Sequence, residues 1–531
     1  MPNPVDSLDA RTRAFAHSPR VAGAPPSTLY DFEDYPRPLP GLAASPRFAR
    51  ELSYPLDDPP SSNALEGLRR AKLCVSPPQC VLDDPVTKCT IASHPELFSV
   101  SAVTPYDVDA LEQLLTRGPT RYPDQALVLE FLTGMRFGWW PYHDGDFSAV
   151  KSFDYPKSAD DWAFIEEKGH EGFEAGRYSA AISTPPPGCT FSPTFVRNPV
   201  EQKRRWIIDH SGSGLNGGIS VELTHPRYDL LSDFIRLLRQ LLSTSKQDRP
   251  RQIQLWRADV KDAFLGVPMR AEWQMHQLLR FMDADGHEYF RVDRCMEFGS
   301  RASPYLWSIV EGFLLHLAQA GGSVPTPLAF VDDAFGADAS GRTVIVNVGK
   351  KLVRHPPQLA GMIEVFKSVG APFAADKQLA GSRLRILGIE VDAAEGTITV
   401  PDDQKRRFAL LSDELLTPKP HGIAIYRTWL GRAQFVGVAT PWAKWRLNLL
   451  YKAVAQWEHD KGRHPTAKRR LKVEERRAVE AYLDEVLSSA PLSIFDATLQ
   501  RWPMSACDVV VWSDSCGRAH DGKGARRPLA A

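Results

Sequence analysis

The sequence has no excess of either charge: 64 basic and 64 acidic residues leave a formal net charge of zero. A zero total gives no global field for drawing in a polyanion, although it permits segregated charge. Cysteines are few, and the seven present are odd in number and follow no regular framework, which argues for reduced thiols over a disulfide scaffold. Cys74, Cys80, Cys89 and His94 have a spacing that matches no zinc module, so free cysteines are the better reading. Runs of roughly eighteen apolar residues are missing, as is a signal-peptide pattern, and the sequence therefore predicts an intracellular protein, nuclear or cytoplasmic, with no membrane partner. Sustained hydrophobic periodicity is missing from the beginning, where Pro25-Pro26, Pro36 to Pro40, Pro59-Pro60 and Pro77-Pro78 interrupt every run. That stretch predicts a largely disordered arm over 1–104 with at most short helices.

What the chain does have is two acidic strand ends. In PLAFVDDAFG, Leu328 to Val331 reads as a short apolar strand and Ala334 to Gly336 as its return, with Asp332 and Asp333 at the tip of the hairpin. An isolated Asp-Asp pair is most simply a polar turn. Upstream, however, IQLWRADVKDAF carries Asp259 and Asp262 at the end of a second apolar strand. Neighbouring carboxylates repel and stay ionised together when a cation neutralises them. Carboxylates from two strand ends suit a pair of divalent ions about 3.5–4 Å apart, an arrangement used for in-line phosphoryl displacement.

Other segments read as ordinary architecture. Val108, Leu111, Leu114 and Leu115 have helical spacing, as do Ala126, Leu129, Leu132 and Met135. Asp160 to Arg177 reads as a helix, Phe195-Val196 and Arg205 to Asp209 as two strands joined by a basic loop, and Asp229 to Leu242 as an amphipathic helix. Basic residues on a hairpin tip suit a triphosphate, through charge-assisted hydrogen bonds, or are simply solvated. Ser303-Pro304 predicts a capped helix start running on through Tyr305 to Ala318. Leu359 to Val369, Asp402 to Leu416 and Tyr426 to Val438 predict further helices, and Lys444 to Arg477 is basic overall.

Taken together, these motifs resemble those of reverse transcriptases, in particular the DIRS-like (tyrosine-recombinase) or LTR-type retrotransposon enzymes, over about residues 120 to 455. The resemblance implies an α+β right-hand polymerase: an antiparallel palm sheet, α/β fingers and a helical thumb. By it, Asp259, Asp332 and Asp333 bind two Mg²⁺ ions, with Mn²⁺ a substitute, and Lys377 in GAPFAADKQ lies near the leaving pyrophosphate. Arg205 matches the arginine on the nucleotide phosphates, and the usual fingers lysine is replaced by either Arg197 or Lys203. Asp262 and Ala263 lie by the triphosphate. Phe264 lies beneath the sugar, where it excludes a 2′-hydroxyl, though core packing is its plainer role. Gly299, in the Phe-Gly-x-x-x-Ser-Pro loop, lets backbone approach the nucleotide, and Met296-Glu297 departs from the usual Leu/Met-Pro before it. Leu387 and Gly388 match the primer-gripping turn, and Gly431, Gln434 and Phe435 the helix that follows the template–primer duplex.

The expected division is thus an arm over 1–104, a helical pre-polymerase segment over 105–190, fingers and palm over 191–400, a thumb over 401–490, and a truncated ribonuclease H-like start over 491–531. DVVVWSDSC reads as a strand ending in Asp514, with too little chain after it to complete such a domain. The expected activity is RNA-directed DNA polymerisation on an RNA or DNA template-primer with dNTPs, with a separate recombinase or ribonuclease H chain as a further candidate partner. An RNA-templated RNA polymerase and an idle, domesticated or decayed retroelement protein that binds nucleic acid are the alternatives. Preference for ribonucleotides over deoxyribonucleotides would identify the former.

Overall fold

The computed structural model describes residues 62–99, 104–197, 204–243, 253–348, 351–461 and 467–495. They fall into two compact units: the described residues of Pro60–Phe234 with Gln252–Gly381, and those of Ile235–Arg251 with Ser382–Ala531. The 105–190 segment therefore belongs to the same unit as the acidic strands, and residues 382–400 group with the helices after them. Lys203 and Asp514 lie outside the described residues. Helices and antiparallel strands are mixed throughout, and among the described residues no helix is long and apolar enough to cross a membrane.

In the first unit, β1 (Thr194–Arg197) and β2 (Arg205–Ile208) form a hairpin, in which Arg197 and Arg205 face each other and are exposed. A four-stranded antiparallel sheet is built from β3 (Gln254–Asp259) together with later strands. β4 (Leu278–Met282) and β5 (Glu288–Val292) make a second hairpin. The sheet is completed by β6 (Leu328–Phe330), β7 (Asp333–Asp338) and, after the hairpin β8 (Val344–Val348) with β9 (Lys351–His355), by β10 (Leu379–Gly381), in the order β10-β3-β7-β6. The apolar strand composition leaves Leu255, Trp256, Ala258, Leu328, Ala334 and Phe335 inaccessible or nearly so, as expected of a sheet covered by helices.

The Pro357–Ser368 helix packs on β3 and β7, and against it packs the Ser303–Ala320 helix, apolar on nearly every side. Its Phe313 ring lies 4.3 Å from that of Phe131, on the Gln125–Phe137 helix. That contact selects the buried face of Gln125–Phe137, which comprises Leu127, Val128, Phe131, Leu132 and Met135. Ala126 and Leu129, expected on the buried stripe, are exposed instead. Ser303 does not cap this helix, contrary to its sequence pattern. Ala302 takes the cap position, and the Ser303 hydroxyl donates backwards to the Glu297 carbonyl.

The last third of the proline-rich segment is built into this unit. Asn63–Arg69, Gln79–Asp83 and Pro85–Ser93 are helices, short as expected, but Leu65 and Leu68 are core residues. Asp229 fastens the first of them. Its carboxylate accepts from the Ser62 hydroxyl, the Asn63 amide and the Ala329 amide of β6. With its carboxylate so engaged, Asp229 stays outside the helix expected to start there, which begins at Leu231.

In the second unit, β11 (Arg383–Ile386), β12 (Ile389–Asp392), β13 (Thr397–Thr399) and β16 (Leu492–Ser493) form an antiparallel sheet, while β14 (His421–Gly422) pairs with β15 (Lys468–Arg469). The Asp402–Leu416, Ile423–Val436 and Val473–Leu487 helices meet around Phe408, Trp429 and Tyr482, whose rings lie 5.5–5.9 Å apart. The two polar handles are satisfied: Trp429 Nε1 donates to Ser412 Oγ, and the Tyr482 hydroxyl donates to the Ala433 carbonyl.

Candidate active site

β3 and β7 run antiparallel in a register that sets Asp259 opposite Asp333. Cross-strand partners share a face of the sheet, so the two acidic strand ends expected from the sequence do meet. Val331 has φ of 59°, a left-handed conformation that a β-branched residue adopts only when its surroundings impose it. Trp307, on the Ser303–Ala320 helix, supplies one such constraint by donating from Nε1 to the Val331 carbonyl at 2.6 Å. The sharp turn leaves Asp332 at the tip and lets β7 begin at Asp333.

Two side chains hold Asp259 in place. Lys377 Nζ lies 2.7 Å from Asp259 Oδ1. Gln378, buried beside it, accepts from the Asp259 amide and donates to the Asp259 carbonyl, so it grips both backbone groups of one residue. Arg257 Nε is 3.6 Å from Asp333 Oδ1. Burial raises the Asp332 carboxyl above its usual range, and Asp259 adds to the rise. Asp333 is pushed up to about 6, first by burial and then by Asp332 and Asp259 against the pull of Arg257. Beneath them, Glu311 is buried on the Ser303–Ala320 helix with neither carboxyl oxygen hydrogen-bonded, and burial together with the charges of Asp332, Asp333 and Asp259 raises it to about 8. Lys377 is raised by its bond to Asp259 and keeps its proton.

A concentration of carboxylates that lift one another in this way is a set of oxygen donors suited to a hard divalent cation. In their present rotamers the three aspartates do not converge on one point. Among the described residues, the group of metal-ligating atoms lying within 4.8 Å of one another is Asp283, Asp285 and His287, in the exposed β4–β5 turn. Asp259 is instead engaged by Lys377, and Asp333 lies beside Arg257. The Cys74, Cys80, Cys89 and His94 set forms no such group, and these cysteines are free thiols.

The loop after β3 contains Asp262, at φ of 51° and 3.3 Å from Arg177 Nη1, and then the buried Ala263 and Phe264. Phe264 is 5% exposed, and its ring lies 4.7 Å from that of Phe298 and 6.4 Å from Trp307. Phe298 is itself 68% exposed, so Phe264 is roofed by a ring that faces solvent. Gly299 packs on the end of β2, where any side chain would overlap the Ile208 carbonyl oxygen.

The remaining expected residues belong to the second unit. Leu387 and Gly388 form the β11–β12 turn with φ of 47° and 78°. Gly388 lies against Phe435, whose Cζ would be 2.8 Å from an added Cβ. Gly431 and Gln434 lie on the exposed face of the Ile423–Val436 helix, and nothing lies within 4 Å of a Cβ at Gly431. Gln378, Glu311 and Trp307 were not anticipated as site residues. A signal existed for Glu311, a lone acid inside an apolar helix, whereas Gln378 was legible only as the neighbour of Lys377.

No family model and no curated protein matches the chain. Among solved structures, it is similar to the foamy viral protease-reverse transcriptase dRH in complex with double-stranded DNA, at 12% identity and a TM-score of 0.44, over 76% of this chain and 64% of that one. The foamy viral protease-reverse transcriptase in complex with dsDNA is similar at 13% identity and a TM-score of 0.41, over 72% of each chain. The chain thus spans just under two thirds of the first of these structures.

Proposed function

We propose that the chain is an RNA-directed DNA polymerase of a retroelement, with β3, β6, β7 and β10 as its palm sheet, the β1–β2 hairpin in its fingers and the helices after residue 400 as its thumb. The observation that carries the reading is the meeting of Asp259 with Asp332-Asp333 at adjacent strand ends, with Lys377 bonded to Asp259. Asp259, Asp332 and Asp333 would hold two Mg²⁺ ions, or Mn²⁺ in their place. When bound, these supply charge neutralisation at the reacting phosphate. Arg205 and Arg197 face the triphosphate with fixed positive charge. Phe264 supports the sugar. The primer 3′-hydroxyl gives its proton to solvent as its oxygen bonds to the α-phosphorus, and the bond from that phosphorus to the bridging oxygen breaks, releasing pyrophosphate. Lys377 carries the proton that the leaving oxygen can take. Its bond to Asp259 keeps it charged.

Primer extension on an RNA template with dNTPs and Mg²⁺ tests the reading. Asp259→Asn and Asp332→Asn are expected to lower extension by orders of magnitude, with duplex binding retained because phosphate contacts dominate affinity. Extension by Asp332→Asn at near the wild-type rate would sink the two-metal assignment.

A further inference from the structure

The loop from Glu297 to Ser303 is fastened to the end of β2 by contacts that include a buried acid–imidazole pair. His210 Nε2 and Glu297 Oε2 are bonded to each other, with the imidazole inaccessible and the carboxylate 1% exposed. The Ile208 carbonyl oxygen lies against Gly299. Asn216 closes the junction, its Nδ2 donating to the Gly299 carbonyl at 3.0 Å and its Oδ1 accepting from the Arg301 amide at 2.8 Å. The Ser303 hydroxyl donates to the Glu297 carbonyl. Taking a carboxylate and an imidazole out of water costs several kcal/mol, so an apolar pair would serve packing alone as well or better. Asp293, also buried, adds a second carboxyl beside Glu297.

The two elements joined here carry opposite sides of the proposed nucleotide site. β2 begins at Arg205, three positions before Ile208, and the loop carries Phe298, which roofs Phe264. We infer that the Glu297–His210 pair is a positioning device that fixes the separation between the phosphate-facing side at Arg205 and the sugar-facing side at Phe264. It therefore sets affinity for the incoming deoxynucleoside triphosphate more than the rate of transfer. The pair lies outside the sheet that carries Asp259, Asp332 and Asp333, so loosening it misplaces the nucleotide and leaves the carboxylates where they are. This inference rests on the polymerase reading above.

The test is single-nucleotide extension by the full chain as wild type, Glu297→Gln, His210→Gln and the double variant. Glu297→Gln keeps the shape and a hydrogen-bonding group but removes the charge. Each single variant is expected to raise the KM for dNTP about tenfold with kcat within about twofold. The double variant is expected to be no worse than the worse single, because the shared interaction is lost once. Unchanged KM in both singles overturns the inference, as does a fall in kcat at unchanged KM. A pair with a merely structural role would lower the titrated fraction of active enzyme and leave KM alone, which also overturns it. Should neither single fold, the double variant, free of an unpaired buried charge, gives the KM reading. Failure of all three to fold makes the pair a folding element and rejects the positioning role. A wild-type protein that extends no primer rejects the polymerase reading instead, so the two failures are distinct.

Discussion

Glu311 is a buried acid whose surroundings oppose ionisation, and that opposition has a measurable consequence. Its carboxyl sits at about 8 in the folded protein against an ordinary value of 4.5. Between those values the folded state holds a proton that the unfolded state releases, so this contribution to stability is full below about pH 4.5 and is lost as pH rises through about 8. Glu311→Gln is a neutral near-isostere at every pH. Thermal unfolding of the two proteins should therefore give similar midpoints near pH 5 and a variant that melts higher near pH 9. An equal gap at both pH values would mean the carboxyl ionises normally. Phe264 offers a second residue-scale test. Phe264→Val opens space under the roof formed by Phe298, and under the proposed function it should raise the ratio of kcat/KM for ribonucleotides over deoxyribonucleotides by ten- to a hundred-fold or so. Because the ring is buried, the change should also cost about 1–3 kcal/mol of stability, read from urea unfolding. A stability loss with an unchanged ratio would make Phe264 a packing residue only.

Turns and helix faces carry their own expectations. At the β11–β12 turn, Gly388→Ala meets both a left-handed φ and the ring of Phe435, and should destabilise by about 1–2 kcal/mol, read as a lower urea midpoint. Gly431→Ala is the contrasting case. It adds a methyl to an open helix face and should stabilise by roughly 0.5–1 kcal/mol. If that face follows a duplex, the same methyl should weaken template–primer binding, and unchanged binding would remove Gly431 from the interface. These elements were largely legible in the sequence because their signals are local. Asp402 to Leu416 is a helix with the bounds its periodicity indicates, and the two acidic strand ends announce themselves by apolar runs stopped by aspartate. What was not legible depends on distant partners. The Leu231–Ser243 helix starts late because Asp229 is claimed by Ser62, Asn63 and Ala329. The Ser303 hydroxyl is claimed by the Glu297 carbonyl and does not cap the helix. The buried stripe of Gln125–Phe137 is chosen by Phe313, far along the chain. Local spacing supplies candidates in each case, and a contact between remote segments decides among them.

At the scale of the whole chain, residues 62–99 of the proline-rich beginning cannot be set aside as dispensable. A chain starting at Pro105 would strip Asp229 of two of its three donors and uncover the core surface under Leu65 and Leu68. A buried carboxylate left short of partners costs about 1–3 kcal/mol or more, and each lost leucine adds a comparable amount. Such a chain should yield much less soluble protein than the full one, and equal yields with equal melting would show that the helices before residue 100 contribute nothing to the first unit. The same fastening constrains the order in which the protein can be made. Ser62 is 167 positions from Asp229, and Asp229 is 100 positions from Ala329, so the three meet only after all of that sequence has been translated. Until then the apolar face of Asn63–Arg69 waits without its partner, and long-range pairings of this kind close slowly. Nascent chains stalled before Ala329 should accordingly be held by chaperones, and those stalled well beyond it, once clear of the exit tunnel, should be released.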